Sequence, residues 1–117
     1  MYVVHATTTT SAPTLNLLSG GRSVELFGVI ATYAESATFY VKFWYQGNTN
    51  ATPVLGVTAP TLTVPISSSG PGFLVGGGNG CGVVMQGPVY WAATTNAADT
   101  DATALGAGGD VINILLG

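Results

Sequence analysis

Five acidic side chains, two basic ones, one histidine and one cysteine are the whole stock of strongly reactive groups in these 117 residues. The carboxylates offer two pairings, Glu25 with Glu35 and Asp99 with Asp101. Glycoside hydrolysis needs two carboxyls facing each other across a cleft. Glu25 is expected to share a face with Phe27 and Val29 while Glu35 falls in a turn, so nothing in the pattern brings that pair together. Asp99 and Asp101, with Asn96 nearby, are spaced like two ligands of a calcium loop. The full pattern also needs a glycine and a distant glutamate, and neither is in place. Asx turns account for these residues more simply. A serine or threonine nucleophile would have only His5 for a base, and His5 reads as a surface or interface side chain. Cys81 sits between glycines with no basic neighbour to lower its pKa, so it reads as a small buried hydrophobe. The run Gly76-Gly77-Gly78-Asn79-Gly80 lacks the Lys-Ser/Thr ending of a phosphate loop, and no helix signal follows it. The expectation is a protein that is not an enzyme, with no cofactor and no metal site.

The elements that position these groups are strands. Phe39, Val41, Phe43 and Tyr45 alternate with Tyr40, Lys42 and Trp44, a period of two in β-branched and aromatic residues. Both faces are apolar enough to be covered. Gln46 to Thr52 is a polar loop, and Leu62, Val64 and Ile66 then share one face of a second strand. Pro60 and Pro65 confine that strand to a sheet edge. Ser23 to Tyr33 alternates too, with Val24, Leu26 and Ile30 opposite Phe27, Val29 and Ala31, and Gly28 in its middle marks a bulge or a close backbone approach. Glu35-Ser36 makes the turn into the Phe39 strand, giving a hairpin or a sandwich neighbour pair. Cys81 to Ala93 is one long strand or two short ones divided at Gly87-Pro88. Asp110 to Leu116 ends the chain with Ile112, Ile114 and Leu116 facing one way. No stretch combines helical periodicity with caps. These signals predict an all-β fold, an antiparallel β-sandwich or jelly roll of seven to eight short strands. Residues 1–12 are expected to form an N-terminal arm or edge strand, and residues 13–117 the sandwich domain.

Composition narrows the function. Charged residues are 6% of the chain, against about a quarter in an ordinary soluble domain. Two basic residues cannot neutralise a phosphate backbone, which excludes nucleic acid as a partner. No apolar run approaches the length of a membrane-spanning helix. The opening MYVVHATTTTSAP lacks a basic segment followed by an apolar core, so no export signal is expected. Weak self-repulsion disfavours a free monomer and points to a subunit of an assembly. Tyr40, Trp44, Tyr45 and Trp91, if exposed, would make a sugar-stacking platform; the same residues also fill sandwich cores and subunit seams. Asn50-Ala51-Thr52 is a glycosylation sequon that only an exported protein would use.

The phrases Tyr40-Val41-Lys42-Phe43-Trp44-Tyr45, Pro60-Thr61-Leu62-Thr63-Val64-Pro65-Ile66, Ala97-Ala98-Asp99-Thr100-Asp101-Ala102-Thr103-Ala104 and Gly109-Asp110-Val111-Ile112-Asn113-Ile114 resemble small jelly-roll-like virion proteins of tailed bacteriophages. The resemblance runs from about Ser23 to Leu116. It implies a capsid decoration (cement) protein on the capsid surface of the virion, working as a homotrimer with the major capsid protein as partner. Under it, residues 2–10 would reach a neighbour by strand addition. Tyr2, Val3, Val4, Thr8, Phe43, Trp44, Tyr45, Trp91, Ile114 and Leu116 would supply the interface, with Phe43, Trp44 and the C-terminal strand in the core or the subunit seam. A tail-fibre or head-fibre module that binds receptor carbohydrate is the alternative.

Overall fold

The computed structural model describes residues 2–32, 34–45, 52–67, 72–74 (backbone) and 82–117. None of these is helical. The strands are β1 (Tyr2–Thr7), β2 (Asn16–Ser19), β3 (Val24–Ala31), β4 (Phe39–Tyr45), β5 (Leu62–Ile66), β6 (Gly72–Leu74), β7 (Val83–Met85), β8 (Val89–Thr94) and β9 (Val111–Leu116).

Every pairing is antiparallel, and the pairs are nested. The chain folds back between β4 and β5, then lays β6 and β7 on β3, β8 on β4 and β2, and β9 on β3 and β1. Two sheets result. The first has the order β1-β9-β3-β6, with β7 also on β3, and the second has β2-β8-β4-β5. A nested antiparallel ladder rolled into two facing sheets is a jelly roll. β6 and β7 are two halves of one strand position. Leu74 lies opposite Gly28, and Val83 resumes opposite Leu26 on the same side of β3. The fold is therefore the expected all-β sandwich.

The core lies between the sheets. Leu26, Val29, Ile112, Ile114, Leu116 and Met85 meet Phe39, Val41, Phe43, Val64, Ile66 and Val89 there, each essentially removed from solvent. Full burial of one such side chain contributes about 1.5–3 kcal/mol. Truncating Leu26 to alanine therefore attacks the fold itself.

Two open alternatives are settled and one expectation changes. β3 and β4 are sandwich neighbours and not a hairpin: they lie in different sheets, so the turn at Glu35-Ser36 is a crossing from one layer to the other. The stretch around Gly87-Pro88 is two short strands, β7 and β8, one in each sheet. The change is that Ile30 does not share a face with Val24 and Leu26. The register of β3 on β9 slips between Leu26 and Gly28, so Phe27 and Gly28 occupy the space of one step. An extra residue inverts the alternation. Val29 and Ala31 turn inward, and Ile30 turns out.

Candidate functional site

Two of the few charged groups, Lys42 and Asp110, are fully buried. Lys42 is on the outer side of β4 yet wholly buried. Its Nζ donates to the carbonyl of Ala98 at 2.7 Å and to that of Asp101 at 3.4 Å, holding residues 95–104 over the second sheet. Burial pushes its amine below the ordinary lysine range, and the Asp101 and Asp99 carboxylates pull it part of the way back. Asp101 holds the same loop together. Its carboxylate accepts from Thr103 Oγ1 at 2.6 Å, from the Asn96 backbone N–H at 3.0 Å and from Asn96 Nδ2 at 3.2 Å. Desolvation raises its pKa, but these hydrogen bonds outweigh that and hold it below the usual range. Of the two calcium-like aspartates Asp101 is thus a loop fastening and Asp99 is exposed, and no acidic or histidine cluster fit for a metal occurs among the described residues.

Asp110, also fully buried, joins three segments. It accepts from the Ala34 backbone N–H at 2.7 Å and from Thr8 Oγ1 at 2.8 Å, and its own N–H donates to Thr8 Oγ1 at 3.0 Å. Glu35 grips two successive backbone N–H groups, those of Ala107 and Gly108, each at 2.9 Å. Gly108 and Gly109 both have positive φ there, 68° and 78°, which suits a residue without Cβ. Glu25 is on β3 and Glu35 beyond its far end. No carboxylate pair faces a cleft among the described residues.

The two sheets differ on their outer sides. On the second sheet, Lys42, Trp44, Ala92 and Thr94 are all buried on that side. Residues 95–104 cover Lys42, and Trp44 Nε1 donates to the Thr58 carbonyl at 2.9 Å from beneath residues 52–61. The first sheet has no such cover among the described residues. Its outer face presents Val3 at 50% exposure, Ile30 at 37% and Val84 at 56%, with half-buried Phe27, Val111 and Leu115 between them. Polar groups on it are few: His5 bonded to Asn113 at 2.8 Å, Thr7 and Glu25. This bare apolar face is the candidate site. At the sandwich edge a groove of about 200 Å³ also opens, lined by hydroxyls of residues 7–14, Asn16, Trp91 and Leu105.

The sequence-derived interface residues divide. Tyr2 and Val3 are exposed, and Val4, Thr8 and Tyr45 are half-buried. Phe43, Ile114 and Leu116 are fully buried between the sheets, Trp91 nearly so, and Trp44 lies under residues 52–61. Those five side chains have almost no surface to offer a second subunit, because the chain's own layers cover them. Of the four aromatics expected as a sugar platform, Trp44 and Trp91 are therefore closed off and Tyr40 and Tyr45 are half-buried. Residues 2–7 are the edge strand of a sheet, paired to β9 along their whole length. Cys81, Gly76 to Gly80, and Asn50-Ala51 of the sequon lie outside the described residues. Sequence reasoning missed Ile30, Val84 and Leu115 as surface residues. The bulge signal at Gly28, carried through to the second half of β3, is what would have placed Ile30.

No protein-family model matches this chain, and neither does any curated protein or solved structure.

Proposed function

We propose that this chain is a non-catalytic structural subunit, a capsid decoration protein that binds the assembled head shell of a tailed bacteriophage and acts there as a homotrimer. The observation that carries this reading is the bare outer face of the first sheet, set against a second sheet covered by its own loops. The scarcity of charge agrees with it. Lys42, Glu35, Asp101 and Asp110 all bind the chain's own loops, leaving Arg22, Glu25 and Asp99 as the remaining charges of a hydroxyl-rich exterior. The partner comes from the resemblance of the four phrases to small virion proteins. The mechanism is linkage: a subunit that binds the closed shell and not its separated parts stabilises the shell, by about 2.7 kcal/mol per site at a concentration one hundred times Kd.

The test is co-sedimentation of purified protein with undecorated shells, together with its mass by light scattering. Binding that saturates, and that Ile30→Lys abolishes without unfolding the chain, is the expected result. No binding by the wild type refutes the reading. The groove beside Trp91 favours a second reading, a carbohydrate-binding module. Binding on a glycan array that Asn16→Ala removes would favour it over the first.

A further inference from the structure

The jelly roll has four sheet edges, and three are blunted. β2 is four residues long with a register break between Leu17 and Ser19. β5 carries Pro65 and follows Pro60. The far edge of the first sheet is divided into the three-residue pieces β6 and β7. Proline, shortness and bulges are the means by which proteins keep edges from pairing with other chains. β1 has none of them. Its six residues, Tyr-Val-Val-His-Ala-Thr, pair regularly and include no proline, lysine, arginine or acid. Among the described residues nothing pairs with its outer side.

The register identifies which groups are open. Thr8 N donates to Asp110 O, whereas Val111 O accepts from Thr32 N and Gly117 exchanges bonds with Glu25. Even-numbered residues of β9 therefore bond toward β1, and odd-numbered ones toward β3. Through the pairs Tyr2 with Leu116, Val4 with Ile114 and Ala6 with Ile112, β1 turns its other backbone groups outward, those of Val3, His5 and Thr7.

We propose that two copies of this chain pair β1 with β1, antiparallel, about a two-fold axis at His5, joining their first sheets into one. That axis sets Val3 opposite Thr7 of the second copy and His5 opposite His5, so every outward N–H meets an outward carbonyl. An axis one residue earlier pairs Val3 with His5 and takes Thr7 past the described end of β1. The contact is isologous and closes with two chains. No charged side chain on the strand opposes it, and Val3 carries it onto the bare outer face. The blunted edges leave β1 no other edge of its own kind to meet. The proposal rests on the edges and not on the shell: a free homotrimer that binds shells would exclude this pairing and keep the capsid reading. A chain that pairs through β1 but ignores shells retains the one and loses the other.

The test is light scattering on a sizing column over a dilution series, for the wild type and for a Val3→Lys/Thr7→Lys double variant. Both substituted side chains are exposed, and the charges on one copy meet those on the other across the axis. The expected result is a wild-type mass that is an even multiple of the chain and halves on dilution, with the variant at half that mass and an unchanged melting point. A wild type of one or three chains at every concentration overturns the proposal, as does a folded variant that keeps the wild-type mass. Should the variant not fold, oxidation of His5→Cys in a Cys81→Ser background decides. A covalent dimer supports the axis, and its absence refutes it.

Discussion

Lys42 and Asp110 show how a chain with so little charge uses it. Each is buried, and each bonds to groups that would otherwise be orphaned at the join of two segments. Removing the Asp110 carboxylate leaves the Ala34 N–H and the Thr8 hydroxyl without their acceptor. Asp110→Ala should cost about 2–3 kcal/mol in urea unfolding, since hydrogen bonds to a charged acceptor are the strong ones. Lys42→Met tests a subtler point. Methionine keeps most of the apolar stem and avoids the cost of burying a charge, so global stability should change by less than about 1 kcal/mol. The amides of residues 96–103 should nonetheless exchange faster, because their cover has lost its anchor. The pH dependence follows from the same burial. A lysine whose folded pKa is depressed holds fewer protons in the folded state than in the unfolded state between the two values. Stability therefore rises with pH in that window, up to the unfolded value of about 10.4. Tyr45, whose pKa burial raises, works in the opposite sense above its unfolded value of about 10. Thermal melts from neutral pH to just below that point should show a rise that Lys42→Met abolishes. At the acid end, Asp101, depressed in the folded state, contributes stability that is lost as pH falls through its folded pKa.

At the scale of elements, β3 is where local reading and three-dimensional phase part company. A lysine at position 30 should be tolerated within about 0.5 kcal/mol, as for ordinary surface positions. A lysine at position 29, one step along the same strand, buries an unpaired charge at a site with no exposure and should prevent folding. Circular dichroism and melting of the two variants check this. The position of the bulge was legible because glycine in a strand is a recognised marker; its effect on Ile30 was not, because period-two reading carries one phase from end to end. The strand β4 was legible down to its bounds, as was the edge character of β5, since Pro60 and Pro65 exclude a central place. β2 was harder. Leu15, Leu17 and Leu18 read as an apolar run before a turn, and only pairing with β8 makes Asn16–Ser19 a strand. The fastening made by Glu35 was not legible at all, because its partners are backbone groups more than seventy residues away.

The whole molecule is a sandwich with one covered side and, among the described residues, one bare side, and composition alone had already implied a charge-poor subunit needing contacts. Which side is bare depended on where the loops fold back, and that is set by Lys42 and Trp44 pointing outward from β4 into residues 95–104 and 52–61. The apolar character of both faces of β4 was visible in the sequence. Its cause, a strand covered by its own loops and not by a partner, was not. The divided edge of the first sheet has a different consequence. Because Leu74 and Val83 stand at neighbouring positions along β3, the chain between them begins and ends at nearly one place, and the sandwich sets no length for it. Doubling the length of a loop whose ends are already fixed costs only about 0.6 kcal/mol. A short epitope inserted between Gly77 and Gly78 should leave the melting point within a few degrees. The interruption makes the jelly roll a carrier whose cargo can vary while its register stays fixed.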